Sequence, residues 1–379
     1  MVADELRALS RLAFEELGAA PRGIAGVHRA IADRAFVGAP IPRAVHDAIA
    51  TVAYGSVRGG MLVAGAIADA GLARRTVGDG RPLSTEPRGA AALAAICGLI
   101  GDELERAGSD LHEPMSVRLR GRAVDPAPVD TPHLVVFLHG LFETEFAWRY
   151  GGRETYGAGL ARELDCAPVF LRYNSGRHIS ENGRSLADLL EAWPGEVDRI
   201  SLIGHSMGGL VARSACHQGS ERGDAWVRRV RHIVTLGAPH RGAPLVEGLH
   251  VAAAALAAVP ETRPFAALLR RRSAGIRDMR RGSLVDEDWR DCDPDALRAA
   301  ACREVPLLDG ATHCFVAATI TRGPRHPVAR LIGDWLVLER SASYRTEQVL
   351  HVGGTHHLAL LNHPEVYERL RELLAPCQA

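Results

Sequence analysis

The chain has 379 residues, and its 45 basic and 45 acidic side chains leave no net formal charge. This balance gives no electrostatic argument for nucleic-acid binding. All the basic residues are arginines, and the absence of lysine excludes a lysine nucleophile, a Schiff base and a P-loop lysine. Seven cysteines without Cys-x-x-Cys or metal-ligand spacing predict reduced core residues of a cytoplasmic protein, with no metal and no cofactor.

The N-terminal third of the chain shows helical rather than strand periodicity. Residues 1–104 are rich in Ala, Leu, Glu and Arg at helical spacing, and their start lacks the apolar core of a secretory signal. The apolar stretch 48–72 is interrupted by charges and glycines, so buried or interfacial helices are predicted rather than a membrane span. Alternation over 115–125 predicts an edge hairpin. We therefore predict a helical region over 1–125 and a second domain over 126–379.

Beyond residue 133, apolar strands alternate with amphipathic helices. Continuous apolar strands in this pattern predict a mostly parallel sheet with helices on both faces, an α/β fold. Functional sites of such sheets lie beyond the carboxyl ends of the strands. The predicted strands are 134–138, 167–173, 200–203, 232–236, 314–320 and 348–352, and the predicted helices are 156–164, 182–193 and 364–374.

The most informative segment is Gly204-His205-Ser206-Met207-Gly208, which follows an apolar strand and opens a helix. A serine at such a sharp turn adopts a strained backbone, and glycines two residues to either side avoid a collision. The pattern Gly-x-Ser-x-Gly is weak alone, and its alternative is a glycine-rich turn that binds phosphate. The flanking strand and helix favour Ser206 as a nucleophile held at a helix N-terminus.

A serine nucleophile needs a histidine base that is oriented by a carboxylate. In this kind of fold the acid and then the histidine follow the serine along the chain. Asp334 comes in the loop after strand 314–320, whereas Asp309 precedes that strand and fits a turn. We therefore predict Asp334 as the acid.

Four histidines compete for the role of base. His357 follows the last strand and leads to the final helix, so we favour it over its neighbour His356. His351 lies within the predicted strand, and His363 stands where the last helix begins. Neither position suits a group that must reach a serine at the strand ends.

The oxyanion of a tetrahedral intermediate needs two backbone N–H donors. Met207, directly after the nucleophile, supplies one. The loop after the first apolar strand supplies the other, and we choose the N–H of Leu141. His139 in the same loop has no partner at metal-ligand spacing, so a metal site is not predicted.

Four motifs together resemble the lipase and esterase branch of the α/β-hydrolase superfamily. They are Leu138-His139-Gly140-Leu141, Gly204–Gly209, Leu236-Gly237-Ala238-Pro239-His240-Arg241-Gly242 and His357-Leu358. The third is similar to a motif of bacterial triacylglycerol lipases and of the GPI inositol-deacylase-like group. The resemblance covers about residues 133–375 and implies hydrolysis of lipid-like or hydrophobic carboxylic esters through an acyl-enzyme. Trp335 departs from it, because a glycine usually follows the acid in such families.

The resemblance leaves substrate and reaction open. An acyltransferase or a thioesterase would use the same triad, and an idle hydrolase fold would serve as an interaction module. Residues 243–310 exceed what the sheet needs and resemble a lipase lid, with an inert surface excursion as the alternative. Arginine clusters in that segment suit contact with a lipid surface. The expected partner is thus a small ester or lipid, and the expected location is cytoplasmic, peripheral to a membrane at most.

Overall fold

The computed structural model describes the sheet, its flanking helices and part of the insertion. The described residues are Glu5, 7–13, Arg29, Arg43, Asp47, 82–243, 272–293, 302–321, Val337, 339–342 and 348–376. None of the helices within these ranges is both long enough and apolar enough to cross a membrane.

The described ranges contain a mixed sheet in the order β2-β1-β4-β3-β5-β6-β7-β8. The hairpin β1–β2 is antiparallel and joins β4 in antiparallel orientation, and the strands from β4 to β8 are parallel to one another. The predicted fold class is therefore confirmed. The strands are β1 Ser116–Leu119, β2 Arg122–Val124, β3 His133–Leu138, β4 Ala167–Arg172, β5 Arg199–His205, β6 Val230–Leu236, β7 Thr312–Thr319 and β8 Val349–Gly353.

Helices cover both faces of this sheet. The predicted helices 156–164 and 364–374 are confirmed within one residue, and helix 182–193 begins three residues early because His178 and Glu181 cap its first turn. The helices are α1 Pro87–Arg106, α2 Tyr156–Glu163, α3 Ile179–Glu191, α4 Met207–Arg222, α5 Ala274–Met279, α6 Glu339–Ala342 and α7 Pro364–Leu374. Short 3-10 segments are Leu83–Thr85, Glu145–Gly152, Ala225–Arg229, Asp286–Asp288 and His357–Asn362.

The alternation of side chains along β3 divides the core into two layers. Leu134, Val136 and Leu138 pack with α3 and α4 on one face. Val135 and Phe137 pack with α2 and α7 on the other face. All six residues of β3 are buried, so an uninterrupted apolar strand marks the centre of the sheet.

Contacts within the chain divide it into two compact units. One consists of Met1–Leu83, Gly108–Leu111 and Gly248–Arg272, and the other of Ser84–Ala107, His112–Glu247 and Ser273–Ala379. Within the second unit, β1 pairs with β4, and the Gly101 carbonyl of α1 accepts a hydrogen bond of 2.8 Å from the Asn174 side chain. The division at residue 125 stays a prediction.

The predicted lid segment, residues 243–310, is described only in part, and residues 244–271 and 294–301 lie outside the described ranges. Its described part is held to the sheet unit by buried hydrogen bonds. Ser273 Oγ donates to the Gly98 carbonyl at 2.6 Å, and Ser214 Oγ donates to the Leu284 carbonyl at 2.6 Å. This part of the insertion is therefore packed against the rest of its unit, and the lid role of residues 243–310 stays a prediction.

Candidate active site

Ser206 lies at the tip of a sharp turn between β5 and α4. Its backbone has φ 51° and ψ −120°, a left-handed conformation that is strained for a serine. A side chain at Gly204 would overlap the Gly208 backbone, and one at Gly208 would overlap the Leu138 carbonyl. The turn is fixed by the Ser206 N–H, which donates to the Leu236 carbonyl at 2.8 Å. The two glycines thus permit the close packing that holds Ser206 at the carboxyl edge of the sheet.

The loop after β3 lies against this turn. A side chain at Gly140 would come within 3.0 Å of Ser206 Cβ. The loop closes on itself, because the Gly140 N–H donates to Glu143 Oε2 at 2.7 Å and the Glu143 N–H donates to the Gly140 carbonyl at 3.3 Å. In the described part of the chain, the N–H groups of Leu141 and Met207 have no hydrogen-bond partner. Two unpaired donors therefore flank the serine.

His139 orients this loop through a hydrogen bond to the Gly140 carbonyl. Its Nε2 accepts from the Tyr173 N–H at 3.2 Å, so its Nδ1 carries the proton and donates to the Gly140 carbonyl at 2.8 Å. The ring stacks on Tyr173 with centroids 4.2 Å apart. Burial lowers the pKa of His139 to about 4, although the Gly140 carbonyl opposes the shift. His139 is therefore a neutral residue that holds the loop in place.

His357 is the histidine that lies beside the turn of Ser206. It is 4% exposed and begins the 3-10 segment after β8. A side chain on Gly237, at the end of β6, would come within 3.0 Å of its ring. His356 instead lies at the surface, where its Nε2 is 3.3 Å from the Tyr150 hydroxyl. The structure thus brings His357, and not His356, to the elbow.

The other two histidines occupy the positions that were predicted for them. His351 is exposed within β8. His363 is the N-cap of α7, and its Nδ1 accepts from the Glu365 N–H at 3.3 Å. The role of His363 is therefore the capping of α7.

The predicted acid, Asp334, lies outside the described residues. Three residues further along, Val337 is buried with Ala317 of β7 and Ala342 of α6. Asp309 is exposed in the turn that precedes β7, at the opposite edge of the sheet from Ser206. Asp309 therefore does not reach the elbow, and Asp334 stays the predicted acid.

A pair formed by the buried His205 and the largely buried Glu143 was missed by the sequence analysis. His205 Nδ1 lies 3.0 Å from both carboxylate oxygens of Glu143, and its Nε2 lies 3.3 Å from the His357 carbonyl. Burial by itself raises the pKa of Glu143, but His205 and the Gly140 N–H outweigh it and hold the pKa below its usual range. The only sequence signal was a histidine before the elbow serine and a glutamate three residues after Gly140.

The segment after β6 carries the Ala-Pro-His-Arg-Gly motif. It is held in place by hydrogen bonds of the buried His240 ring. The His240 ring lies 3.1 Å from Arg213 Nη1 at its Nδ1 and 3.1 Å from Thr235 Oγ1 at its Nε2. Burial and the Arg213 charge hold the pKa of His240 well below its usual range. A neutral His240 therefore fixes the turn that follows β6, and this motif residue is structural.

Helix α5 lies beside Met207 and Leu141, the two predicted oxyanion donors. A side chain on Gly275 would come within 3.0 Å of Met207 Cε, and the Gly275 N–H donates to the Gly176 carbonyl at 3.1 Å. Ile276 packs with Ala243 and Leu141. The described part of the insertion thus places an apolar cluster beside the loop of Leu141.

The described residues contain no group of three or more His, Cys, Asp or Glu side chains that could hold a metal ion. The polar atoms of the site instead include a hydroxyl, two imidazoles, one carboxylate and two unpaired N–H groups. This set can accept and donate protons and can stabilise a developing negative charge.

Comparisons with known proteins give one family match and several similar solved structures. A family model described as a PGAP1-like alpha/beta domain matches residues 179–271. The mature Bacillus licheniformis lipase BlEst2 is 20% identical, over 70% of this chain and 100% of that chain, with a TM-score of 0.44. A carboxylesterase structure of Nitrososphaera gargenis is 13% identical over 64% and 90% of the two chains, with a TM-score of 0.38. The RedJ thioesterase of Streptomyces coelicolor is 21% identical over 66% and 94%, with a TM-score of 0.37. No curated protein matches the chain.

The strand order and the strand–turn–helix unit at Ser206 confirm the predicted fold, a mostly parallel sheet with helices on both faces.

Proposed function

We propose that the protein is a serine hydrolase that cleaves carboxylic esters with a hydrophobic acyl group. The observation that carries the proposal is the strained Ser206 between two unpaired backbone donors, Leu141 N–H and Met207 N–H. A strained residue at the carboxyl edge of a parallel sheet is typical of a functional site. Two free N–H groups beside a hydroxyl match the needs of acyl transfer.

In this mechanism, His357 removes the proton of Ser206 Oγ as that oxygen attacks the ester carbonyl carbon. The carbonyl oxygen becomes an oxyanion and accepts hydrogen bonds from Leu141 and Met207. Collapse of the intermediate breaks the bond to the alcohol oxygen, which takes the proton from His357. Water then attacks the acyl-enzyme with His357 as base, and the acid and free Ser206 are released.

Asp334 is the proposed partner of His357. A carboxylate in this position holds the imidazole in the required tautomer and stabilises its charged form. The burial of Val337 against β7 supports the choice, since three residues span at most about 11 Å of chain. Asp309, the competing acid, lies before β7, at the edge of the sheet opposite to Ser206.

The preference for a hydrophobic acyl group is supported by the cluster of Leu141, Ala243 and Ile276. These side chains lie next to the proposed oxyanion donor, where the acyl chain of a bound ester begins. Apolar walls with few polar groups are typical of pockets for such ligands.

The proposal is tested by labelling and kinetics on Ser206→Ala. A fluorophosphonate probe should modify Ser206 in the wild-type protein, as located by mass spectrometry. The variant should lose at least about a thousandfold in kcat on p-nitrophenyl esters, because the nucleophile is absent. A panel of acetyl, octanoyl and thioester substrates separates esterase from thioesterase activity. Labelling of another serine, or turnover by the variant, would contradict the proposal.

A further inference from the structure

We propose that the ion pair between Glu143 and His205 is a positioning device that holds the oxyanion loop and the turn of His357 in a fixed relation to Ser206. The inference rests on the proposed function, because it concerns the geometry of that same site. Neither residue touches the reacting atoms in the mechanism above.

The pair connects three separate segments at the edge of the sheet. Glu143 belongs to the loop after β3 and accepts from the Gly140 N–H at 2.7 Å. His205 is the last residue of β5 and directly precedes Ser206. Its second ring nitrogen lies 3.3 Å from the His357 carbonyl. The Glu143–His205 and His205–His357 hydrogen bonds thus couple the positions of the three segments.

The surroundings of His205 favour its charged form. Both of its ring nitrogens face acceptors, a carboxylate and a backbone carbonyl, and each acceptor requires an N–H on the ring. The Gly140 N–H on Glu143 favours the ionised carboxylate. The His205 ring is fully buried, so its charge and that of Glu143 compensate each other in a low-dielectric environment.

The pair controls the direction of the Leu141 N–H. The Gly140 carbonyl and the Leu141 N–H belong to one trans peptide plane and point in opposite directions. That plane is held at its carbonyl by His139 and the Glu143 N–H, and the preceding peptide is held by the Glu143 carboxylate. Loss of the carboxylate would leave the loop free to turn the Leu141 N–H away from the oxyanion.

The test compares Glu143→Gln with Asp278→Asn. Asp278 is a matched control, because it also accepts from a backbone N–H, that of Ile179 at 2.8 Å, and also pairs with a histidine Nδ1, that of His178 at 3.0 Å. It contacts neither the oxyanion loop nor the turn of His357. In Glu143→Gln we expect kcat to fall about 10- to 100-fold with KM within about twofold, since a transition-state interaction is weakened. Asp278→Asn should keep kcat within about threefold by the same criterion.

A second readout does not depend on activity. In wild-type protein with ¹⁵N-labelled histidine, His205 should show two ring N–H protons, both of which change in Glu143→Gln. A single ring N–H on His205, or equal kcat values for the two variants, would overturn the proposal. Absence of ester hydrolysis by the wild-type protein would refute the proposed function alone, because the spectrum still tests the ion pair. If Glu143→Gln does not fold, the wild-type spectrum alone tests whether His205 carries two ring protons.

Discussion

Strand β5 carries a histidine cluster near each end, and the two clusters differ in charge. Near its amino end, Ser201 Oγ lies 2.8 Å from His133 Nε2 and 3.0 Å from His232 Nδ1. At its carboxyl end, His205 lies between a carboxylate and a carbonyl. The strand is the same and both clusters are largely buried, so the partners of each ring decide its charge.

At the amino end the histidines are neutral. Burial, with the nearby charge of Arg199, lowers the pKa of His133 and of His232 to about 4. A hydroxyl can donate to one neutral ring and accept from the other, so this cluster is satisfied without charge. At the carboxyl end, the strained Ser206, the proposed ion pair of Glu143 with His205 and two unpaired N–H groups occur together. The amino edge of the sheet thus carries satisfied, neutral polar groups, whereas the carboxyl edge carries the groups proposed for chemistry.

The largest loss of activity is expected from a substitution of His357. His357→Ala should lose about a thousandfold or more in kcat, on the scale of Ser206→Ala, because the proposed base is removed. His356→Ala is the control, since His356 pairs with Tyr150 at the surface and should keep kcat within about threefold. The measurement is the rate of p-nitrophenyl ester hydrolysis by both variants. The reverse ranking would assign the base to His356.

A smaller effect is expected at His139, which holds the Gly140 carbonyl. His139→Ala should lower kcat about 10- to 100-fold, because the peptide that carries the Leu141 N–H loses one of its anchors. Tyr173→Phe is the control, as it removes only the hydroxyl that donates to the His139 carbonyl and keeps the stacked ring. Steady-state kinetics on folded protein measure both. An effect of Tyr173→Phe as large as that of His139→Ala would show that the site depends on general packing.

Much of the fold was predictable because it depends on local pattern. Uninterrupted apolar strands between amphipathic helices predicted the parallel sheet, and glycines at 204 and 208 predicted the elbow. Helix α3 begins earlier than its periodicity indicates, because a capping interaction of Glu181 with the His178 backbone extends it. These features need only residues close together in sequence.

The contacts that join distant segments could not be predicted in this way. Glu143 and His205 are 62 residues apart, and no periodicity marks either of them. The placement of α1 with the sheet depends on contacts of Gly98 and Gly101 with Ser273 and Asn174. A helix pattern identifies the apolar face of a helix and not the element that it meets.

The amino-end cluster gives the last prediction, which concerns stability rather than activity. Because the folded-state pKa of His133 is about 4 and that of an unfolded histidine is about 6.5, the unfolded state binds more protons between these values. Stability is therefore full above about pH 6.5 and falls as the pH drops toward about 4. At about pH 5 the contribution of His133 to this loss is about 2 kcal/mol.

His133→Phe should thus lose less stability than the wild-type protein between about pH 7.5 and about pH 5, as measured by urea denaturation. Ser201→Ala keeps both histidines, so it should lower stability at both pH values while retaining the pH dependence. Equal pH dependence in the wild-type protein and His133→Phe would mean that His133 is not held neutral in the folded protein, and the contrast between the two ends of β5 would fail.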